Sequence, residues 1–456
     1  MFCNTKAFKS LKVALGTDGF EFLEHALTGI VRILPHTEVS RWKVETDRKT
    51  GAAWTATNRR ELRLTVGLEL NGSQFSLIAT LKRKRAPTGV GDIERTIDAR
   101  ERDICERIIG RVSQVLKTQD REGSGESLAA IRTLFDEQIV ASHIQHHHEL
   151  KLDVSGVFKA LRNLAEQSYE NKSLTFGCLL DPGDRSEPSA DGMFPSDVLA
   201  WKRYKALSDG YRTVYRVSTL GRIVRFQDLM NRKGPPIGSH IFPEWCEDLA
   251  KASQHKICGV CLTRQGDILV FDEGTLRFTY RYGRWQYWNH THIIDLLQNR
   301  ARSQRVPPKS ITKIVKAIYR AALDVSFRRC GGLFVLLHNR KSLWDMTLCG
   351  DMIGCKKREN IHKEFDESLP SRDIRILSRR LLVELASLDG GVVLNNQGKI
   401  MAYGAVLNPR KKGKIGPAEG SRTKAAIGAS KYGISVKVSS DGDITFYEKG
   451  KAFFSA

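Results

Sequence analysis

The sequence lacks any run approaching the ~18 consecutive apolar residues of a membrane-crossing helix, so an integral helical membrane protein is not expected. An uninterrupted secretory core is also lacking, because Lys6, Lys9 and Lys12 break the segment MFCNTKAFKSLKVALG. Neither a Walker phosphate loop nor a Ser/His/Asp arrangement is found. Acidic residues are in deficit: 51 Asp and Glu face 73 Lys and Arg, a net charge of +22. That excess favours polyanionic partners, whether nucleotides, nucleic acid or an anionic surface. Gly (38) and Pro (13) stay near the globular average, and 41% of residues are hydrophobic, enough to bury real cores. The nine cysteines are scattered and odd in number, and they read as reduced thiols of a cytoplasmic protein rather than a disulfide framework.

With 456 residues, roughly two to four domains are expected. Residues 1–150 read as an α+β unit. Leu62–Leu70 alternates, Asn71-Gly72 follows, and a second alternating run completes a hairpin. Apolar spacing predicts helices over Asp92–Lys117 and about Ser127–Ala141, separated by the Gly/Ser-rich loop 122–126. Residues 151–306 read as a second α+β unit. It has a helix over Val154–Ser168, a loop over Asp181–Pro195, and strands at 211–217, 221–226, 256–262, 267–271 and 275–282, with the run 268–288 reading as a β meander. The polar stretch Arg302–Pro308 marks a boundary. Residues 309–456 read as α/β, a mixed sheet with flanking helices. Its helices are expected at 310–327, 371–387 and 425–430. Its strands include the central apolar run 333–337 and the runs 392–394, 399–407, 434–438 and 444–448.

Two motifs in this last region carry chemistry. Asp389-Gly390-Gly391 sits at a helix-to-strand junction, where glycines permit close backbone approach and the aspartate could hold a cation or take a hydroxyl proton. Gly420-Ser421-Arg422-Thr423-Lys424 enters a helix with two cations in its first turn, where they oppose the helix dipole. An anionic ligand explains that placement, with free N–H groups, Arg422 and Lys424 forming a phosphate cradle. The plain alternative is a solvated turn capped by Ser421.

In order and spacing, about residues 310–456 resemble the diadenylate cyclase domain, typified by the DNA-integrity scanning protein and the membrane-associated c-di-AMP synthases. The resemblance rests on RRCGGLFVLL (328–337), LDGGVVL (388–394), IMAYGAVLNP (400–409), GSRTKAA (420–426) and ISVKVSSDGDITFYEKG (434–450). In that family two ATP molecules meet head-to-head across a homodimer, and each 3′-hydroxyl attacks the other's α-phosphate. The products are cyclic di-AMP and pyrophosphate, formed with Mg²⁺ or Mn²⁺. The resemblance implies that Asp389 binds metal and helps activate the hydroxyl, that Ser421, Arg422 and Lys424 hold phosphates, and that Gly420 and Thr423 belong to the same nucleotide-binding motif. Gly390 and Gly391 would let ribose and base lie on the backbone.

There are departures from the family pattern. Asp-Gly-Ala has become Asp-Gly-Gly. Arg-His-Arg has become Arg422-Thr423-Lys424, which loses the histidine and one guanidinium fork. The acidic turn is one residue short, so Asp441 or Asp443 would have to supply the second metal carboxylate. Two readings therefore stand: a cyclase regulated by residues 1–306, or a sensor of ATP or cyclic dinucleotide that keeps the fold without turnover. Either would act as a homodimer or higher homo-oligomer. A third reading is a nucleic-acid binder using the basic residues Arg59, Arg60, Lys82–Arg85 and Arg410–Lys414.

The remaining features take blander readings. The run Ser142–His148 holds His143, His146, His147 and His148, and reads as a polar helix end; His143 and His147 would share a face if it bound a metal. Cys258 and Cys261, with Cys246 nearby, read as core cysteines rather than a zinc site. Tyr280, Tyr282, Trp285, Tyr287 and Trp288 read as core and sheet face rather than base-stacking platforms. Gly16-Thr-Asp-Gly19 lacks the flanks of a second catalytic motif.

Overall fold

The computed structural model describes residues 1–3, 5–35, 37–46, 53–58, 61–70, 73–83, 97–122, 128–183, 207–230, 240–303, 306–355, 360–369, 371–407 and 420–456. The hairpin turn Asn71-Gly72, the loop at 123–126, most of the loop 181–195, and the basic residues Arg59, Arg60, Lys84, Arg85 and 410–414 lie outside them. The described residues form two compact units: residues 1–240 with Trp245–Trp288, and Ile241–Glu244 with Asn289–Ala456. Among the described residues no helix is long and apolar enough to cross a membrane.

The first unit opens with α1 (Lys6–Ile33), a helix not foreseen from the sequence. Lys6, Lys9 and Lys12 are exposed, while Phe22, Leu23, Ala26, Leu27, Ile30 and Ile33 form the buried stripe. Gly16, at φ 65°, kinks the helix, which gives the Gly16–Gly19 segment a structural use. Strands β1 (Thr37–Val39), β2 (Lys43–Thr46), β3 (Ala53–Asn58), β4 (Glu61–Leu70) and β5 (Ser73–Arg83) form one sheet. The β4–β5 pairing, down to Leu70 opposite Ser73, is the predicted hairpin. Helix α2 (Ala99–Glu122) begins later than expected, because Asp98 and Glu101 form a reciprocal cap: each side chain accepts from the other's backbone N–H, at 2.8 and 2.9 Å. Helix α3 (Leu128–His147) runs through the histidines, since Ile144, His143 and His148 continue its buried face. It packs against α4 (Val154–Ala165).

Two short strands follow, β6 (Ser168–Tyr169) and β7 (Lys172–Ser173). The second sheet has the order β10-β9-β8-β11-β12-β13-β14. Its strands are β8 (Phe176–Asp181), β9 (Thr213–Ser218), β10 (Ile223–Asp228), β11 (Cys258–Leu262), β12 (Ile268–Asp272), β13 (Thr275–Arg281) and β14 (Arg284–Tyr287), with α5 (Glu247–Ala252) before β11. Strands β12, β13 and β14 are the expected meander. A single hydrophobic core runs from Leu11 to Tyr287, so position 150 lies within one packed unit.

In the second unit, α6 (His290–Ser303) and α7 (Pro308–Arg328) precede β15 (Gly332–Leu337). After α8 (Asn360–Ser368) come α9 (Arg379–Ser387), β16 (Gly391–Leu394), β17 (Ile400–Ala405), α10 (Ser421–Ala429), β18 (Gly433–Val438), β19 (Ile444–Glu448) and β20 (Lys451–Ser455). The sheet order is β17-β16-β15-β18-β19-β20, parallel at β15–β16 and antiparallel elsewhere. This is the expected mixed α/β layer with the apolar run at its centre. Successive β15 side chains divide between two faces. Phe334 and Leu336 meet Val315 and Ile318 of α7, while Leu333, Val335 and Leu337 share a core with Ala426, Ile427 and Ala429 of α10. Helix α9 is shorter than the expected 371–387, because the Ser378 hydroxyl caps it by accepting from Leu381 N at 3.2 Å. Among the described residues Cys355 is disulfide-bonded, which corrects the expectation of reduced thiols throughout.

Candidate functional site

The sheet places the two motifs at one end of β15. Strand β16 starts immediately after Asp389 and Gly390, and the Asp389 side chain is fully solvent-exposed. Gly390 has φ 113°, and a Cβ there would stand 2.5 Å from the Ala405 carbonyl oxygen, so only glycine lets β16 and β17 meet in this way. Across the central strand, α10 begins at Ser421 with Gly420 as its extended N-cap. Among the described residues no side chain caps it, so Ser421 is the first helical residue rather than the cap, and the first N–H groups face the motif that precedes them.

Arg422 reaches back over Gly331, where φ is 66° and any Cβ would collide with the guanidinium. Its Nη2 lies 3.7 Å from Asp389 Oδ1. An open cleft of ≈ 610 Å³ separates the motifs, and Asp389, Gly390, Gly420, Ser421, Arg422 and Thr423 all line it. Leu333, Leu407, Val438, Ser439 and Ser440 form further parts of its wall.

The other sequence-predicted residues stand apart. Gly391 is buried in β16. Lys424 is exposed on α10 and is not among the lining residues. Asp441 and Asp443 are exposed in the β18–β19 turn, and neither lines the cleft. Lys437 does line it and was not anticipated; its Nζ donates to Thr423 Oγ1 at 3.1 Å. Strand register held the clue: Lys437 pairs with Leu333, on the face that α10 covers, where a lysine needs a polar partner or an anion.

Elsewhere the blander readings hold for most residues. Trp285, Tyr287 and Trp288 are core residues. Cys246, Cys258 and Cys261 are buried, and burial pushes the Cys258 thiol well above its ordinary range, which leaves it unreactive. Arg83 is buried against Glu101, so it cannot join Lys82 in a solvent-facing basic run. His143 does not pair with His147 around a metal position: its Nδ1 bonds the Asp103 carboxylate, which also takes a forked bond from Arg107 at 2.8 and 2.9 Å. Burial raises the Asp103 pKa, but the His143 and Arg107 bonds outweigh it and hold the pKa down at about 2. His147 and His148 turn instead towards Asp272.

Residues 319–452 match the DAC family, the DisA bacterial checkpoint controller nucleotide-binding domain. The matched segment contains the whole cleft wall described above. Two solved structures are also similar. A hypothetical membrane spanning protein from Bacillus cereus is 20% identical over 36% of this chain and 74% of its own, with TM-score 0.25. A double mutant of DacA from Staphylococcus aureus is 23% identical over 32% of this chain and 87% of its own, with TM-score 0.21. Among curated proteins no sequence matches.

Proposed function

We propose that the DAC-like segment binds ATP in this cleft and condenses two ATP molecules into cyclic di-AMP and pyrophosphate. The observation that carries the reading is the shared cleft: an exposed carboxylate, Asp389, faces a helix N-terminus and the Arg422 guanidinium. The free N–H groups at the start of α10, with Ser421 and Arg422, bind the phosphates. In this reading the exposed Asp389 carboxylate receives the proton of the ribose 3′-hydroxyl. The 3′-oxygen then bonds to the α-phosphorus of the facing ATP, and pyrophosphate leaves as that P–O bond breaks. Positioning and charge neutralisation supply most of the rate.

Each chain contributes one carboxylate and one phosphate cradle, so two cyclising nucleotides call for a homodimer or higher oligomer. The exposed oxygen donor of Asp389 suits Mg²⁺ or Mn²⁺, which would supply charge neutralisation at the phosphates. Residues 1–306 would regulate this activity in the cytoplasm.

A second reading, a nucleotide or cyclic-dinucleotide sensor without turnover, is favoured by two observations. Thr423, in place of a histidine, has its hydroxyl engaged by Lys437, and Asp441 lies off the cleft wall. The deciding experiment incubates the purified chain with ATP and Mn²⁺ or Mg²⁺ and identifies products by mass spectrometry. Cyclic di-AMP, absent with the Asp389→Asn variant, supports the cyclase. Nucleotide binding without product moves the protein to the sensor reading.

A further inference from the structure

We propose that His147, His148 and Asp272 of the first unit form a binding site for a divalent transition metal of the Zn²⁺ class. His147 ends α3, His148 follows it and Asp272 ends β12, so residues distant in sequence converge. One donor atom from each lies within 4.8 Å of the others. Nε2 of His147 is 3.5 Å from Asp272 Oδ2, and Nε2 of His148 is 3.5 Å from Oδ1. Ligands about 2.1 Å from a tetrahedral ion stand about 3.4 Å from one another, close to the two histidine–carboxylate separations.

The surroundings also point to a cation. Asp272 is 5% exposed, and its buried Oδ1 has no hydrogen-bond partner among the described residues. A buried carboxylate oxygen without a donor is costly. His148, 2% exposed, donates its Nδ1 proton to the Lys256 carbonyl at 2.6 Å. With its Nδ1 proton so engaged, the neutral form of the ring turns an Nε2 lone pair towards Oδ1. Two acceptors face each other, and a metal ion between them would satisfy both. An imidazole whose other nitrogen is anchored on a carbonyl is the usual support of a metal-bound histidine.

Arg100 holds the other carboxylate oxygen, Oδ2, at 2.5 Å and is balanced by Glu273 at 3.1 Å. Its long contact to His147 Nε2, 3.4 Å, would give way to the ion. Two imidazoles and one carboxylate suit Zn²⁺, Co²⁺ or Ni²⁺ better than Mg²⁺ or Ca²⁺. Three protein ligands leave a position for water, and the half-exposed His147 opens the way in.

The test uses the full chain, stripped with a chelator and titrated with Co²⁺. One equivalent should bind with the intense visible absorption of low-coordinate Co²⁺, and Zn²⁺ should displace it. His147→Gln, at a surface position, should fold normally in the metal-free state and lose that equivalent together with its absorption; Asp272→Asn should do the same. Absence of stoichiometric Co²⁺ uptake would overturn the proposal. So would an unchanged stoichiometry and spectrum in His147→Gln, because the ion would then sit elsewhere.

Discussion

Arg422 Nη2 stands 3.7 Å from Asp389 Oδ1, bringing the α10 N-terminus and the β16 entry to opposite sides of one cleft. Because Asp389 is fully exposed, solvent screens this pair and it adds little to folding. The guanidinium is thus free to exchange a solvent-screened partner for a phosphate. Arg422→Ala should weaken binding of a non-hydrolysable ATP analogue by about 1.5–3 kcal/mol, roughly 10- to 150-fold, with little change in Tm. Arg422→Lys should restore only part, since the fork is lost. Isothermal titration measures both. Wild-type affinity in the alanine variant would remove Arg422 from the phosphate site.

Two glycines of the site should respond differently to alanine. Gly390, at φ 113°, has the Ala405 carbonyl 2.5 Å from its missing Cβ. Gly390→Ala should therefore cost more than about 2 kcal/mol, from left-handed strain plus overlap with backbone that cannot swing away. Gly420, with nothing within 4 Å of its missing Cβ and φ −63°, should tolerate alanine at no more than about 1 kcal/mol. Denaturant unfolding of the second unit separates the two; equal losses would contradict this account of the β16–β17 approach.

Lys437 offers a test independent of the family motifs. Its ammonium bonds Thr423 at the cleft wall, close enough to join a phosphate cradle. Lys437→Met keeps the stem that packs beside Leu333 and removes the charge. Nucleotide affinity should fall several-fold, and the remaining binding should depend less on salt than in the wild type. An unchanged affinity and salt slope would confine Lys437 to holding Thr423.

What the sequence revealed, and what it hid, follows from the range of the interactions involved. The apolar run 333–337 announced the central strand, and Asp389 and Arg422 stood out because their residue types suit neither a strand entry nor a helix N-terminus. Helix boundaries drifted where a side-chain cap decided them, as at Ser378 and at Asp98 with Glu101. Helix α1 was masked because its lysines lie on the solvent face and Gly16 breaks the period. Lys437 and Asp272 were invisible because their meaning comes from neighbours across the sheet or on a distant helix, a register that no local pattern encodes.

The Asp103 cluster sets a pH dependence for the first unit. Its carboxylate accepts from His143 and Arg107, and those bonds hold its pKa at about 2, below the ordinary value near 3.9. A depressed folded-state pKa gives stability that is complete above the unfolded value and is lost as pH falls towards the folded one. The side chain is 29% exposed, so the contribution is of order 2 kcal/mol at neutral pH. Asp103→Asn should therefore destabilise the first unit by about that amount at neutral pH. Its deficit should shrink as pH falls from about 4 to about 2, where the wild-type carboxylate is itself protonated. Urea titrations of both proteins across that range measure the difference. A deficit that stays constant with pH would mean that shape, not charge, is what Asp103 contributes.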